Sequence, residues 1–467
     1  MVFSSLPFVY FLFPAVFLLY FVWNNRVWRN AVLLCASLFF YAWGEPKFLP
    51  VMLLAATEAY VGGLLMERFR ASDRPKGEKT VFVVTVALLL ANLFIFKYLN
   101  FAVDNLNLLF GGGLAVPEIV LPIGISFYTF QILSYVIDLH RGEVAVQRNW
   151  FCLTLYVSFF PQLIAGPIVR YQTVEDEILN RKENLDDVAA GVERFIVGLA
   201  KKVILANRIA LIAETIYAGD PTVYGTAMYW VAAVAYTLQI YFDFSGYSDM
   251  AIGLGRIFGF HFLENFDYPY TALSITDFWR RWHISLSSWF RDYVYIPLGG
   301  NRVSRGRWVR NILIVWALTG FWHGAQWNFL FWGLYYAALL LAEKLLYGKA
   351  LEKLPKALRW GYTMFFVVLG WVLFNLTDFG RMWAAVRQMF AFRPTDWLGV
   401  AAANTAILRA FLYLPLGLVC MLPLAKRLRL RGNAGTAVSH ILHLILAGIC
   451  VVFLISSKYD PFIYFRF

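Results

Sequence analysis

Two histidines lie in segments of this chain that are rich in tryptophan and arginine. His323 occurs in the run FWHGAQWN at 321–328, and His283 occurs in DFWRRWHISLSSWFRDYVYIPLGGNR at 277–302. A neutral imidazole can take a proton from a hydroxyl or thiol group near neutral pH, which suits histidines for general acid–base chemistry. The sequence therefore indicates a candidate active-site region within residues 271–328.

His323 lies at a predicted break between two apolar runs. Trp322 is only the twelfth residue after Arg310, which corresponds to about 18 Å of helix and is shorter than the roughly 30 Å of a bilayer core. Gly320 and Gly324 flank the histidine and permit a sharp turn. We expect His323 near mid-membrane at the apex of a helical hairpin, where burial favours the neutral imidazole. A core histidine bonded to a backbone carbonyl is the structural alternative.

His283 lies among charged and hydroxyl side chains. At helical spacing Trp282, Leu286, Trp289 and Tyr293 share one face, which predicts an amphipathic helix at the membrane interface. Such a helix is also typical of a simple surface anchor. Acyl transfer nevertheless suits two histidines in one cavity, because one can take a proton while the other orients a group or stabilises charge.

Polar and aromatic side chains near the two histidines are the candidates for substrate binding. Arginine binds phosphate through charge-assisted bonds that are often bidentate. We therefore expect the arginines to hold the phosphates of a nucleotide-bearing thioester. The predicted substrate-binding residues are Arg280, Arg281, Arg291, Asp292, Trp282, Trp322, Gln162 and Asn328.

Two carboxylates, Asp243 and Asp249, lie at or near the apolar runs 227–242 and 247–262. An acid in apolar surroundings is expected to have a partner. The adjacent lysines at 201–202 and the arginines at 280–291 are the candidate partners. Structural ion pairing explains these carboxylates at least as well as chemistry does.

The overall composition is that of a membrane protein. Of 467 residues, 60% are apolar and 15% are charged, against about 25% charged in soluble domains. The apolar runs between residues 6 and 456 predict an all-α polytopic protein with about eleven spanning helices and further re-entrant pieces. We expect a single domain over 1–467, with the first run at 6–23 retained as a span.

The net charge of +12 does not point to nucleic acid. Lysine and arginine cluster between apolar runs, as in the cytoplasmic loops of membrane proteins. The four cysteines contain no C-x-x-C pair, and the chain contains no H-E-x-x-H motif, so neither a disulfide framework nor a metal site is expected. The basic groups lie at 68–79, 276–310, 344–359 and 426–431.

The two histidine segments resemble the signature of the membrane-bound O-acyltransferase (MBOAT) family. Within that family they are most similar to the bacterial branch that acetylates exported polysaccharides. The resemblance implies that His323 is the essential catalytic histidine and that His283 is the second polar position of the site. Further matching segments are KYLNF at 97–101, LPIGISFYTFQ at 121–131, FFPQLIAGPI at 159–168 and YFDFSGYSDMAIG at 241–253.

The resemblance also implies a place and a reaction. A multi-pass protein of the bacterial inner membrane would take an acetyl group from a cytoplasmic donor, acetyl-CoA, without a bound cofactor or metal. A periplasmic partner of SGNH or lipase-like type would place the group on alginate or cellulose, with peptidoglycan as the alternative polymer. A non-catalytic acyl conduit or a scaffold for the outer partner is the alternative of another class, and it has little use for a general base.

Overall fold

The computed structural model describes residues 1–115, 119–220, 223–403, 405–424, 432–456 and 462–463. Every regular element in these ranges is helical, which confirms the prediction of an all-α protein. The chain divides into two compact units. Unit 1 comprises Met1–Phe195 with Met250–Leu263, and unit 2 comprises Ile196–Asp249 with Glu264–Phe467. The predicted basic group at 426–431 lies outside the described residues.

Unit 1 is built from helices and short connections. Side-chain caps start several of its helices: Asn25 accepts a hydrogen bond from the Trp28 N–H, Asn149 from the Phe151 N–H and Asn184 from the Asp187 N–H. Its elements are α1 (Phe13–Val22), α2 (Arg26–Gly44), α3 (Leu49–Ala71), α4 (Pro75–Leu93), α5 (Leu99–Phe110), α6 (Ile125–Arg141), α7 (Trp150–Ser158), α8 (Phe160–Leu163), α9 (Tyr171–Asn180) and most of α10 (Leu185–Ala200).

Unit 2 carries both candidate histidines. Its helices are α11 (Asn207–Ala218), α12 (Thr226–Ile257, whose last residues belong to unit 1), α13 (Ile275–Arg281), α14 (Ile284–Phe290), α15 (Arg305–His323), α16 (Trp327–Ala342), α17 (Gly348–Glu352), α18 (Lys356–Asn375), α19 (Phe379–Met389), α20 (Trp397–Ala403), α21 (Thr405–Ala410), α22 (Tyr413–Cys420) and α23 (Gly432–Ser456). Wider π-helical turns follow α14 at Arg291–Tyr295 and α16 at Glu343–Tyr347.

Five helical stretches in the described ranges are long and apolar enough to cross a bilayer. They are consistent with the predicted membrane character. The number of about eleven spans and the single domain over 1–467 stay predictions. The stretches are Pro46–Ala71, Pro75–Phe110, Trp327–Glu352, Lys356–Asn375 and Gly435–Ser456, and shorter apolar helices occur at Phe8–Val22 and Ile407–Cys420.

The two apolar runs expected around Asp243 are one helix of 32 residues, α12. The separation into two runs was wrong because both carboxylates are paired within the helical packing. Asp243 lies 2.6 Å from Lys202 and Asp249 lies 2.6 Å from Lys201. A paired acid does not have to leave an apolar helix to reach water. The lysines were among the predicted partners.

Candidate active site

The hairpin predicted around His323 is confirmed. α15 ends at His323, the chain turns through 324–326, and α16 begins at Trp327. The two backbones touch: a Cβ atom added to Gly320 would lie 2.3 Å from the Phe329 carbonyl oxygen. The length estimate was wrong, because α15 begins five residues before Arg310 and has 19 residues, about 28 Å of helix. The position near mid-membrane stays a prediction.

The imidazole of His323 is buried in a ring of aromatic side chains. Its ring centroid lies 5.0 Å from that of Trp322, 5.1 Å from that of Trp332 and 5.2 Å from that of Phe374. All three contacts are edge-to-face. These rings come from α15, α16 and α18, so three helices fix the position of one histidine.

His283 occupies a break between two short helices. α13 ends at Arg281, His283 has a left-handed backbone with φ +46° and ψ +56°, and α14 begins at Ile284. The amphipathic helix expected from Trp282 onward is present from Ile284 and continues through the π-helical turn to Tyr295, so only its predicted start was wrong. A neighbouring segment stabilises the break, since the Ile284 N–H donates to the Asn265 carbonyl oxygen at 2.9 Å.

The break turns the His283 side chain into the protein interior. His283 is only 1% exposed, and its Nδ1 lies 3.2 Å from Oδ1 of Asn265. Its ring packs edge-on against Phe244 at 4.6 Å and against Trp322 at 5.7 Å. Burial lowers the pKa of the His283 imidazole to about 3, so this side chain is neutral near pH 7.

The ring of Trp322 contacts both candidate histidines. Its centroid lies 5.7 Å from the His283 ring and 5.0 Å from the His323 ring. Tryptophan brings a large apolar surface with one polar N–H group. The two predicted catalytic residues, 40 positions apart in the sequence, therefore both contact one indole.

A cavity of about 270 Å³ opens beside the two histidines, and both line it. The aromatic part of its lining includes Trp279, Trp282 and Trp316. The polar part includes three exposed cations, namely Arg280, Arg291 and Lys344. The cavity thus connects positive charge at the surface with two buried imidazoles.

The predicted arginines differ in their pairing. Arg291 forms two hydrogen bonds with Asp292, at 2.6 and 3.0 Å, and its side chain stays 62% exposed. Arg281 pairs with Asp277 at 2.8 Å and is not a lining residue. Arg280 reaches the cavity. Sequence analysis did not predict Lys344 as a binding residue. Lys344 follows Leu340 by four residues, a spacing that places both on one helix face, and both line the cavity.

The other predicted binding residues are dispersed. Trp282 lines the cavity and is buried. Asn328 is buried in the first turn of α16, and neither its side-chain oxygen nor its nitrogen has a hydrogen-bond partner in the described part of the chain. Gln162 belongs to unit 1, where its Nε2 donates to the Tyr156 carbonyl oxygen at 2.6 Å. Neither amide lines the cavity.

Glu343 is a residue that supports the candidate site and that sequence analysis missed. This buried carboxylate accepts hydrogen bonds from the N–H groups of Ile275 and Thr276, at 2.6 and 3.0 Å, and from the Thr276 hydroxyl at 2.8 Å. These donors form the first turn of α13. A carboxylate at a helix N-terminus satisfies groups that have no partner within the helix and complements the helix dipole. Glu343 therefore anchors the helix that carries Arg280.

The described residues contain no group of three or more histidine, cysteine, aspartate or glutamate side chains that could hold a metal ion. The side chains that line the cavity include imidazoles, cations and aromatic rings. That inventory fits proton transfer next to an anionic substrate.

Comparison with known proteins places the site in a wider context. The model of the membrane-bound O-acyltransferase family matches residues 149–377. A protein of Azotobacter vinelandii described as a probable alginate O-acetylase is 43% identical, over 85% of this chain and 79% of its own length. The corresponding protein of Pseudomonas aeruginosa is 41% identical, over 84% and 75%. A peptidoglycan O-acetyltransferase of Helicobacter pylori is 35% identical, over 80% and 77%.

Proposed function

Because this chain belongs to the membrane-bound O-acyltransferase family, we propose that it moves an acetyl group from cytoplasmic acetyl-CoA across the inner membrane for O-acetylation of an exported polysaccharide. It is a multi-pass O-acyltransferase of the inner membrane. One observation carries the proposal: a single cavity is lined by two buried histidines and by three exposed cations. His323 is the central catalytic residue in this proposal.

The size of the cavity supports a donor that is held partly outside. Sites that enclose a whole drug-sized ligand have about 300–1,000 Å³, whereas this cavity has about 270 Å³. It accommodates an acetyl group and part of the adjoining thioester arm. The nucleotide and its phosphates then stay at the exposed end, where Arg280, Arg291 and Lys344 provide charge-assisted hydrogen bonds.

The proposed acetyl transfer requires only one base, which takes up a proton and then returns it. The oxygen of an acceptor hydroxyl attacks the thioester carbonyl carbon, so that a C–O bond forms and the C–S bond breaks. The imidazole of His323 takes the hydroxyl proton and returns it to the departing sulfur, which leaves as the CoA thiol. The transfer consumes no oxidant or reductant, and His323 ends each cycle neutral.

The aromatic lining supports this role for His323. The rings of Trp322, Trp332 and Phe374 pack around its imidazole. They limit the access of water, which would otherwise hydrolyse the thioester. Exclusion of water also strengthens the electrostatic effect of nearby groups on the reacting carbonyl.

The relatives support a choice between the candidate polymers. The two proteins described as probable alginate O-acetylases are 43% and 41% identical to this chain, against 35% for the peptidoglycan O-acetyltransferase. We therefore favour an alginate or cellulose type of polymer, with peptidoglycan as the second candidate. A periplasmic SGNH or lipase-like partner receives the acetyl group in this proposal and passes it to the polymer.

The catalytic assignment is tested by His323→Ala in purified protein reconstituted into lipid vesicles with radiolabelled acetyl-CoA. We expect loss of acetyl transfer by about a hundredfold or more, since general base catalysis contributes about 10²–10⁴. Membrane level and thermal midpoint should stay at parent values. An alanine variant with the parent's transfer rate would favour a conduit or scaffold over an enzyme with this base.

The donor assignment is tested separately by titrating acetyl-CoA against Arg280→Gln, Arg291→Gln and Lys344→Gln. Each should raise the donor KM with a smaller change in kcat, because the lost interaction is made by bound donor and transition state alike. Arg307→Gln is the matched control, since Arg307 is an exposed arginine of α15 that does not line the cavity. Unchanged donor KM in all three variants would place the phosphates elsewhere.

A further inference from the structure

Asn265 is a buried residue in the loop before α13 that has no role in the transfer described above. Its Oδ1 accepts hydrogen bonds from the N–H of Ser285 at 3.1 Å and from the Ser285 hydroxyl at 2.9 Å. The same oxygen lies 3.2 Å from Nδ1 of His283. One side-chain oxygen thus contacts both the first turn of α14 and the candidate histidine.

The backbone donor identifies the amide atom that faces His283. The Ser285 N–H can only donate. Its partner must therefore be the side-chain oxygen Oδ1 of Asn265 and not the side-chain nitrogen Nδ2. An oxygen accepts a hydrogen bond from Nδ1 only if Nδ1 carries the proton. In a neutral imidazole the lone pair then belongs to Nε2. The hydrogen-bond network thereby assigns the Nδ1–H tautomer.

The other ring nitrogen of His283 is available as an acceptor. Its Nε2 is buried and has no hydrogen-bond partner within the described ranges. His283 lines the same cavity as His323. A buried acceptor without a partner costs free energy, so an O–H or S–H donor that enters the cavity would be stabilised by a hydrogen bond to Nε2.

We propose that Asn265 is a positioning residue that holds His283 in the Nδ1–H tautomer, so that Nε2 faces the cavity as an acceptor for the O–H or S–H group of a reacting molecule. This inference rests on the proposed acetyl transfer and deepens it. His323 takes the proton of the attacking hydroxyl, while His283 orients a reacting group without ever donating to it from Nε2.

The groups around His283 determine which titrations can affect a pH profile measured on variants of Asn265. The rings of Phe244, Phe266 and Trp322 and the polar side chains of Asn265 and Ser285 contact it. None of these five carries a charge. The charged or titratable groups that share the cavity lining are Arg280, Arg291, Tyr295, His323 and Lys344.

Two replacements of Asn265 separate positioning from packing. Asn265→Asp keeps the accepting oxygen but adds negative charge beside Nδ1–H, which raises the pKa of His283. Protonation at Nε2 removes the acceptor, so transfer by this variant should decline on the acid side of neutrality where the parent is still flat. Asn265→Leu removes the oxygen, and kcat should fall by about tenfold or more with little change in donor KM.

Asn311→Leu is the matched control for the cost of losing a buried amide. Asn311 is also fully buried in unit 2, and its Nδ2 donates to the carbonyl oxygens of Leu298 and Gly300 at 3.0 and 3.2 Å. It does not line the cavity. We expect Asn311→Leu to lower the thermal midpoint as much as Asn265→Leu while keeping the parent's pH profile and a kcat within about twofold.

The outcomes distinguish this inference from the proposed function. Suppose that the parent transfers acetyl groups and that Asn265→Asp has the parent's pH profile. Asn265 then does not set the protonation or tautomer of His283, and the inference is overturned. The same holds if Asn265→Leu keeps the kcat of Asn311→Leu. If the parent itself transfers no acetyl group to any hydroxyl acceptor, the proposed function fails first. Should Asn265→Leu not fold, the pH profile of Asn265→Asp decides alone.

Discussion

Gly320 offers a test of whether the α15–α16 hairpin positions His323 for chemistry. It lies on α15 one turn before His323, where the backbone of α16 crosses closely. A Cβ atom at Gly320 would lie 2.3 Å from the Phe329 carbonyl oxygen, 3.0 Å from its carbonyl carbon and 3.2 Å from the Leu330 Cα atom. The obstructing atoms are all backbone, so no side-chain rotation relieves the contact in Gly320→Ala.

The geometry sets the size of the effect. Ordinary van der Waals contact for a Cβ atom begins at 3.4 Å, so the two helices must separate by about 1 Å near Gly320. Overpacking of this kind costs about 1–3 kcal/mol. A displacement of about 1 Å in a catalytic group lowers rates by about a hundredfold. We therefore expect Gly320→Ala to lower kcat for acetyl transfer by between ten- and a hundredfold, with a modest loss of stability.

Gly306→Ala is the control on the same helix, because nothing lies within 4 Å of a Cβ atom at Gly306. This variant should keep the parent's kcat and gain up to about 1 kcal/mol of stability through its better helix propensity. The assay is steady-state acetyl transfer with purified protein, together with thermal unfolding in detergent. A Gly320→Ala variant with the kcat of Gly306→Ala would refute the view that this backbone contact positions His323.

Three further predictions concern the support, charge state and orientation of the site. Glu343→Ala leaves the buried Ile275 N–H and the partly buried Thr276 N–H without an acceptor, and an unsatisfied buried donor costs about 1–3 kcal/mol. Glu343→Gln keeps one oxygen. Thermal midpoints in detergent should therefore fall from the parent to the Gln variant and further to the Ala variant, and equal midpoints would contradict this. His283 has a pKa of about 3 in the folded protein and about 6.5 when unfolded, so its neutral form contributes stability above pH 6.5 that is lost as the pH falls toward the folded value. His283→Asn should therefore flatten the fall in thermal midpoint between pH 7 and pH 5, and parallel curves would exclude His283 as its source. The arginine-rich segment 276–310 should face the cytoplasm, so Ser304→Cys should react with an impermeant maleimide only after cells are opened, and labelling of intact cells would reverse this topology.

Local patterns predicted the hairpin and the helical class. Two glycines four residues apart, Gly320 and Gly324, flank His323 between apolar runs, and each signal acts within a few residues of the feature that it predicts. That Asp243 and Asp249 have cationic partners also followed from one general rule, that a buried acid has a partner, although the rule left lysines and arginines open. The predicted boundaries of individual helices were wrong in two places, namely the start of α15 and the division of α12 into two runs.

Contacts between distant segments supplied the rest of the site. Glu343 bonds to the Ile275 N–H, 68 residues away, and no periodicity within either helix signals this contact. The break at His283 was missed for a similar reason. The apolar residues from Trp282 onward have the spacing of a continuous helix. Asn265, however, accepts hydrogen bonds from N–H groups that would otherwise bond within that helix. Helical propensity within a seven-residue segment is too weak to resist such tertiary bonds.

The distribution of charge is compatible with the proposed thioester donor. Moving a phosphate group into an aromatic interior would cost several kcal/mol in lost hydration, so the anionic end of the donor is favoured where Arg280, Arg291 and Lys344 are exposed to water. The acetyl thioester is neutral and loses little hydration on entering. A proton acceptor near that carbonyl must then also be neutral before the reaction. Burial provides this at His283, and the rings of Trp322, Trp332 and Phe374 surround the buried imidazole of His323 in the same way.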